Sequence, residues 1–93
     1  MTIDPKHLVQ LAEIIDHGSF TEAAVRLNTS QPALSRMARE LEARLGAPVF
    51  ASRRNPVTPT ALGRELAEYG RSIRAATDHV SRLAEKVVAG EQG

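Results

Sequence analysis

The sequence predicts a mainly α-helical fold: a winged helix-turn-helix of three helices and a small β-hairpin, followed by one long helix. Three short segments with apolar residues at helical spacing predict the helices, and two apolar pieces around a polar tip predict the hairpin. An unbroken heptad pattern predicts the long helix. We therefore expect a winged domain at residues 1–58, a linker helix at 59–89 and a tail at 90–93.

The first helix is expected to begin at Asp4 and Pro5 and to end near Gly18. Asp caps helix N-termini, Pro is tolerated in the first turn, and Gly commonly ends a helix. At helical spacing, four apolar side chains of this segment fall on one face and are expected to point inward: Leu8, Leu11, Ala12 and Ile15.

The second helix begins with the pattern of a capping box, in which Ser19 is the cap and Glu22 reaches back to its amide. Only Asn28 and Thr29 remain for the turn, and Asn tolerates the left-handed backbone that such a turn needs. Small inward residues allow another helix to cross closely. The inward face comprises Phe20, Ala23, Ala24 and Leu27. Two helices joined so tightly are typical of a helix-turn-helix.

The third helix, which Ser30 can cap, has the pattern of a DNA-reading helix. N-terminal residues of such a helix reach base edges in the major groove, where Gln suits adenine and Arg suits guanine. We therefore predict base readout by Gln31, Ser35 and Arg36. An ordinary solvated face, or a helical hairpin without a ligand, is the alternative. The apolar side holds Leu34, Met37, Ala38, Leu41 and Leu45. The opposite side holds Pro32, Ser35, Arg36, Arg39 and Ala43.

Residues 47–58 are expected to form a hairpin wing, because two apolar pieces flank a polar, turn-prone tip. Phe50 and Val57 should anchor the wing to the core. Arg53 and Arg54 should project from the tip toward phosphates or the minor groove. An exposed Arg pair can otherwise be a simple solvated loop.

The charge distribution favours a nucleic-acid partner more than the net charge of +1 does. Residues 26–54 carry six Lys or Arg against two acids, whereas residues 1–25 carry one against four. This local excess is the expected electrostatic footprint. The absence of Cys excludes disulfides and thiolate metal sites and agrees with a reducing compartment. With neither a signal peptide nor a membrane-spanning run visible, we expect a soluble, cytoplasmic, nucleoid-associated protein without membrane contact.

Catalysis and metal binding are not expected. The imidazoles of His7, His17 and His79 lie far apart in the sequence, without a nucleophile–base pair or a ligand spacing. We therefore predict no enzymatic activity, no cofactor and no metal.

The last helix, which Thr58 or Thr60 can cap, carries apolar residues at alternating spacings of four and three. Its length of about 45 Å exceeds what a small domain can cover, so we expect its own domain to cover only the first turn or two. Gly63 and Gly70 each weaken a helix by about 1 kcal/mol unless something packs closely on them. A second copy is the simplest partner, although the heptads leave strand orientation open. The predicted dimerisation residues are Leu62, Leu66, Tyr69, Ile73, Ala76, Val80, Leu83 and Val87.

A series of landmarks extends over nearly the whole chain. They are Gly18–Thr21, Ala23, Ala24, Leu27, Ser30–Arg36, Leu41, Glu42, Leu45, Gly46, Phe50, Thr60 and Gly63. By these landmarks the chain resembles the DNA-binding domain of LysR-type transcriptional regulators. The resemblance implies a winged helix-turn-helix, antiparallel pairing of linker helices, and a wing that grips the minor groove or the DNA backbone.

The resemblance also implies roles for particular residues. Those expected to face the major groove are Gln31, Pro32, Ser35 and Arg36. Those expected near phosphates are Ser19, Thr21, Thr29 and Ser30, with backbone contacts also from Arg39, Arg53, Arg54 and the first-turn amides of the third helix. The expected site is duplex DNA with an interrupted inverted repeat, bound by a homodimer. RNA polymerase is an expected partner of the full-length protein.

The chain departs from the family pattern in a few places. Ser52 stands where the family usually has an Arg, so one backbone or packing contact is expected to be missing or to move to Arg53. Leu11 replaces a common aromatic residue and Pro59 a common Leu. Family members normally continue into an effector domain beyond the linker helix. The alternatives are another dimeric winged-helix regulator, such as the molybdate-responsive type, or a coiled-coil protein-interaction module.

Overall fold

The computed structural model describes residues 1–92, with side chains described to Gly90. Four helices and one two-stranded antiparallel hairpin form the fold, which confirms the predicted class. In chain order the elements are α1 (Pro5–His17), α2 (Phe20–Arg26), α3 (Gln31–Leu45), β1 (Phe50–Ser52), β2 (Thr58–Pro59) and α4 (Ala61–Gln92). Helix α4 extends past the predicted end at residue 89 and into the predicted tail, of which Gly93 lies outside the described residues.

The helix boundaries follow from local capping chemistry. The Asp4 carboxylate accepts from the Lys6 amide at 2.9 Å, and Gly18 ends α1 with a left-handed φ of 67°. The Ser19 hydroxyl accepts from the Glu22 amide at 3.1 Å. Within the described side chains the return bond of the capping box, from Glu22, is not formed. The Thr60 hydroxyl accepts from the Gly63 amide at 3.0 Å, so Thr60 caps α4.

A single apolar core lies between the three short helices, the hairpin and the start of α4. Its fully buried large side chains are Leu11, Ile14, Leu34, Leu41 and Val49. Ile14 was not among the residues predicted to point inward, whereas the predicted Leu8 and Ile15 are only half-buried. The face is broader than predicted because α1 packs against α4 as well as against α2 and α3.

Helix α4 lies against α1 through its smallest residues. Ala67 is fully buried, and a Cβ added to Gly63 or Gly70 would overlap the carbonyl oxygen of Val49 or of Leu8. These glycines allow the helix backbone to approach the domain more closely than any side chain would permit. The close packing explains why two residues unfavourable to helices occur in this helix.

Contact between α4 and α1 extends as far as Arg74, which forms an ion pair with Glu13. Residues 61–74 make up about four helical turns. The prediction that the domain covers only one or two turns is therefore wrong, because the small face of α4 continues along α1. Beyond Arg74 the residues up to Gly90 are almost all exposed.

Candidate nucleic-acid interface

The N-terminal half of α3 presents a polar surface while its other side holds the core. Leu34, Met37, Ala38 and Leu41 are buried, and the predicted inward residue Leu45 is half-buried. On the other side Gln31, Pro32, Arg36 and Arg39 are exposed, and Ser35 is half-buried. The structure therefore brings the four residues predicted for base readout together on an accessible face at the start of one helix.

The turn before α3 positions this face. Asn28 adopts a left-handed φ of 54°, and the Thr29 amide donates to the Ala24 carbonyl at 2.9 Å. Ala23 and Ala24 are buried, which allows α2 and α3 to cross closely. The predicted two-residue turn and small helix–helix contact are confirmed.

The residues predicted for backbone contacts do not all lie in equivalent environments. Thr21, Thr29 and Ser30 are exposed. Ser19 is only 8% exposed and caps α2 through its hydroxyl, so it offers little surface to a phosphate.

The amides at the start of α3 also offer less than predicted. Pro32 has no N–H, and the Ala33 amide donates to the Ser30 hydroxyl at 3.2 Å. In the described residues only the Gln31 amide remains available in this first turn. A phosphate at the positive end of α3 can therefore accept from one first-turn N–H and not from several.

The sequence predicts that both arginines of the wing project into solvent, but in the structure only Arg54 does so. The Arg53 guanidinium lies 5.5 Å from the Phe20 ring centroid and 5.3 Å from that of Phe50. It also donates to the Glu42 carboxylate at 2.6 Å. Arg54 is exposed. Arg53 is thus turned inward because two aromatic faces and a carboxylate attract its cation.

Glu42 connects the wing to α3. One carboxylate oxygen accepts from Arg53, and the other accepts from the Val49 amide at 2.8 Å. Phe50 and Val57 are buried, as predicted, and the Phe20 and Phe50 ring centroids lie 5.2 Å apart. Arg53 therefore packs the wing against α2 and α3 through Phe20 and Glu42.

Three exposed cations lie on α3 and at the wing tip. Arg36, Arg39 and Arg54 are exposed and form no ion pair with any residue between 1 and 90. By contrast, Arg71 and Arg74 of α4 are engaged with carboxylates of α1. Cations without an internal counterion retain their full charge for an anionic partner.

The α1–α4 ion cluster was missed by sequence reasoning. Arg71 donates to Asp16 at 2.7 Å, and Arg74 pairs with both Glu13 and Asp16. Glu13 also lies 3.0 Å from His17. The matched three-residue spacing of the acids on α1 and the arginines on α4 was the available signal.

These contacts shift the pKa values of Asp16, Arg71 and Arg74. Hydrogen bonds from Arg71 hold the pKa of Asp16 below its usual value. Hydrogen bonding to Asp16 raises the pKa of Arg71, and hydrogen bonding to Glu13 raises the pKa of Arg74. Asp16, Arg71 and Arg74 are therefore charged at neutral pH where they join α1 to α4.

The heptad seam, by which we mean the eight predicted dimerisation residues of α4, is partly buried within the chain itself. Leu62 and Leu66 are half-buried against the core, and Ile73 is half-buried. Ala76 is exposed, and Tyr69, Val80, Leu83 and Val87 are 64%, 60%, 53% and 53% exposed. The C-terminal part of the seam consequently presents apolar side chains that this chain does not cover.

The fold and this surface define a class of protein, the winged helix-turn-helix. The family described as bacterial regulatory helix-turn-helix protein, lysR family, matches residues 5–64. The chain belongs to this family of DNA-binding transcriptional regulators.

Curated relatives agree with the family. The chain is 34% identical over 93 residues to the uncharacterized HTH-type transcriptional regulator YnfL of Escherichia coli K12, covering 100% of this chain and 31% of the relative. It is 42% identical over 73 residues to the HTH-type transcriptional regulator AbaB of Streptomyces antibioticus, covering 78% of this chain and 22% of that protein. The chain thus spans about a third or less of these relatives.

Solved structures share the fold along most of the chain. The BenM DNA-binding domain in complex with catB site 1 DNA has a TM-score of 0.75 and 27% identity, with 96% of each chain covered. Full-length LysG of Corynebacterium glutamicum, a LysR-type transcriptional regulator (LTTR) with bound effector Arg, has a TM-score of 0.80 and 29% identity. That match covers 94% of this chain and 30% of LysG.

Two features are absent from the residues that the structure describes. None of their helices is long and apolar enough to cross a membrane. No group of three or more His, Asp or Glu side chains is placed to hold a metal ion in the same part of the chain.

Proposed function

We propose that this chain binds double-stranded DNA as a homodimer and recognises two half-sites of an interrupted inverted repeat. The observation that carries the proposal is the exposed start of α3, where Gln31, Ser35 and Arg36 share one surface above a buried apolar side. A helix of this kind fits the major groove, and two-fold symmetry of a dimer matches two-fold symmetry of its site. The BenM DNA-binding domain, similar in fold, has been crystallised on DNA.

Within this proposal the exposed residues have two kinds of role. Gln31, Ser35 and Arg36 read base edges, and Pro32 packs against the groove beside them. Exposed polar and cationic residues around α3 and the wing hold the DNA backbone and set the register. These backbone residues are Thr21, Thr29, Ser30, Arg39 and Arg54, with a minor contribution from Ser19. Arg53 acts as a positioning residue for the wing.

The dimer is supported by the free apolar part of the seam. Val80, Leu83 and Val87 are more than half exposed on a helix that extends past its own domain. Exposed apolar side chains that follow one another along a helix indicate a site of protein contact.

The wider setting follows from the family. In a longer protein of this kind, we propose that the DNA-bound dimer acts on RNA polymerase. We also propose a cytoplasmic, nucleoid-associated location, and an activity based on binding alone, without catalysis and without a cofactor. The supporting observation is that the chain belongs to a family of transcription regulators.

Selection of bound sites from random duplexes with the purified chain tests the proposal. We expect an interrupted inverted repeat with half-sites separated by about one DNA turn or a multiple of it. Gln31→Ala should relax one position in each half-site, whereas Arg82→Ala, an exposed change on α4, should leave the selected site unchanged. Failure to enrich any sequence, with association of the chain intact, would contradict sequence-specific recognition by the start of α3.

A further inference from the structure

Glu42 is an acidic residue at the edge of the α3 surface that is proposed to meet DNA. It follows Ser35 by seven positions and therefore lies on the same side of the helix, about two turns further on. Its side chain is 21% exposed, and both carboxylate oxygens are occupied. One oxygen accepts from the Val49 amide at 2.8 Å, and the other accepts from Arg53 at 2.6 Å. The charge of Glu42 is thus paired with a cation of the wing.

The Arg53 guanidinium is held inward although its hydrogen bonding there is incomplete. Its Nη2 donates to Glu42, whereas its Nη1 is buried and has no hydrogen-bond partner among the described residues. The rings of Phe20 and Phe50 attract the cation but replace no conventional acceptor. Because a buried donor without a partner is unfavourable, the inward position depends on the carboxylate of Glu42.

An outward Arg53 would meet the same partner as its neighbour Arg54. The Arg53 side chain is still 34% exposed, and Arg54 beside it is exposed. The Arg53 guanidinium lies over Phe20, the residue before Thr21, which is exposed and predicted to lie near a phosphate. A phosphate offers a guanidinium a charge-assisted, bidentate hydrogen bond. The carboxylate of Glu42 and the DNA backbone are therefore alternative partners for one cation.

We infer that Glu42 withholds Arg53 from DNA and limits the wing to one phosphate-binding arginine, Arg54. The inference rests on the DNA binding proposed above and adds a positioning residue that adjusts it through Arg53. A phosphate contact strengthens binding to every sequence and steepens its salt dependence, but it reads no base. Glu42 therefore sets the sequence-independent part of the affinity and leaves recognition to the start of α3.

The salt dependence of binding to a scrambled duplex tests this role with the full chain. Glu42→Gln removes the negative charge and leaves one acceptor oxygen in place of two, which releases Arg53. The released side chain should add about one phosphate contact per bound chain, so the slope of log affinity against log salt should steepen by about 1. The affinity lost between about 50 and 200 mM salt should then be about 3.5-fold larger than for wild type.

Two further variants separate the release of Arg53 from a general change in charge. Glu40→Gln is the matched control, because Glu40 is also exposed on α3 and forms no ion pair with any residue between 1 and 90. It should leave the slope unchanged. Arg53→Ala in the Glu42→Gln background should return the slope to the wild-type value, whereas in the wild-type background it should have no effect on the slope. Circular dichroism confirms that each variant is folded.

The outcomes distinguish this inference from the proposed function. A folded Glu42→Gln variant with the slope of Glu40→Gln would overturn the inference and leave DNA binding standing. A steeper slope that persists when Arg53 is replaced by Ala would overturn it as well. A wild-type chain whose affinity for duplex DNA does not rise as the salt concentration falls would overturn the DNA binding itself.

Chemical modification of arginine gives a readout that does not depend on affinity. Phenylglyoxal reacts with accessible guanidinium groups, and mass spectrometry locates the modified residues. In wild type, saturating duplex should protect Arg54 and leave the slow reaction of Arg53 unchanged. In Glu42→Gln, Arg53 should react severalfold faster in the free chain and should become protected on DNA. Equal protection of Arg53 and Arg54 in the wild-type complex would overturn the inference, and this comparison needs no variant.

Discussion

Helices α3 and α4 are both amphipathic, but what they expose differs. The outer side of α3 presents Gln31, Arg36 and Arg39, whereas the free half of α4 presents Val80, Leu83 and Val87. A polar, cationic surface is satisfied by an anionic partner with hydrogen-bonding edges, and an apolar surface is satisfied by another apolar surface. The exposed side of each helix, more than its buried side, therefore indicates which kind of partner it meets.

The largest expected effect is a difference in stability between substitutions on the buried side and on the outer side of α3. Leu34→Ala should lower the free energy of unfolding by about 3 kcal/mol, because it leaves a cavity in the core. Leu34 is fully buried, whereas Ser35 beside it is half-buried on the outer side. Ser35→Ala is therefore the matched control, with a change under about 0.5 kcal/mol. Urea unfolding measures both, and equal losses would contradict the division of α3 into a core side and a reading side.

The next prediction separates the two halves of α4. Gly70→Ala should destabilise the chain by about 1–3 kcal/mol, because the new Cβ would overlap the Leu8 carbonyl oxygen. Gly90→Ala introduces the same methyl group where nothing lies within 4 Å. There the better helix propensity of Ala should raise helix stability slightly. Thermal unfolding of both variants checks this, and a stabilising Gly70→Ala would refute the close packing of α4 on α1.

Arg53 gives a smaller effect that distinguishes the wing from the reading surface. Arg53→Ala should lower the unfolding free energy by about 1 kcal/mol, because it removes the Glu42 ion pair and the aromatic contacts. Its removal should leave the salt dependence of DNA binding unchanged, since its charge is already paired. Arg54→Ala should do the reverse, with unchanged stability and a salt slope lower by about 1. Binding titrations at several salt concentrations test this, and a reduced slope for Arg53→Ala would restore it as a phosphate contact.

The smallest expected effect concerns the ion cluster between α1 and α4. Asp16→Asn should cost less than about 1 kcal/mol at pH 7, because Asp16 is partly solvated. The folded-state pKa of Asp16 lies below the unfolded value of 3.8, so its contribution is complete above that value and is lost as the pH falls through the folded pKa. The free energies of unfolding of wild type and variant, measured from pH 7 to pH 2, should converge in acid. A difference that grows in acid would contradict this role.

Several features could be predicted from sequence because they are local. The caps at Ser19 and Ser30, the left-handed Asn28 and the split faces of α3 all depend on neighbours within about one helical turn. The features that were missed or predicted wrongly depend on distant contacts. The orientation of Arg53 requires Glu42 and Phe20 to meet the wing, and the α1–α4 ion cluster requires α4 to lie across α1.

The candidate site follows the same division. Sequence identified which residues lie on the outer face of α3, because helical spacing alone determines the face. It overestimated the anion-binding groups around that face, since capping and wing packing use some of them. Ser19 is buried, the Ala33 amide is occupied, and Arg53 is paired. The residues predicted from sequence to contact DNA therefore include some whose polar groups are already occupied within the chain.

The most direct test of the account measures the affinity of Arg36→Ala for its selected site and for a scrambled duplex at matched salt. We expect a loss of about 1–3 kcal/mol on the selected site, relaxed preference at one base pair per half-site, and a smaller loss on scrambled DNA. Arg54→Ala, as the control, should weaken both duplexes alike. Equal losses on the two duplexes for Arg36→Ala would contradict base reading by the exposed start of α3.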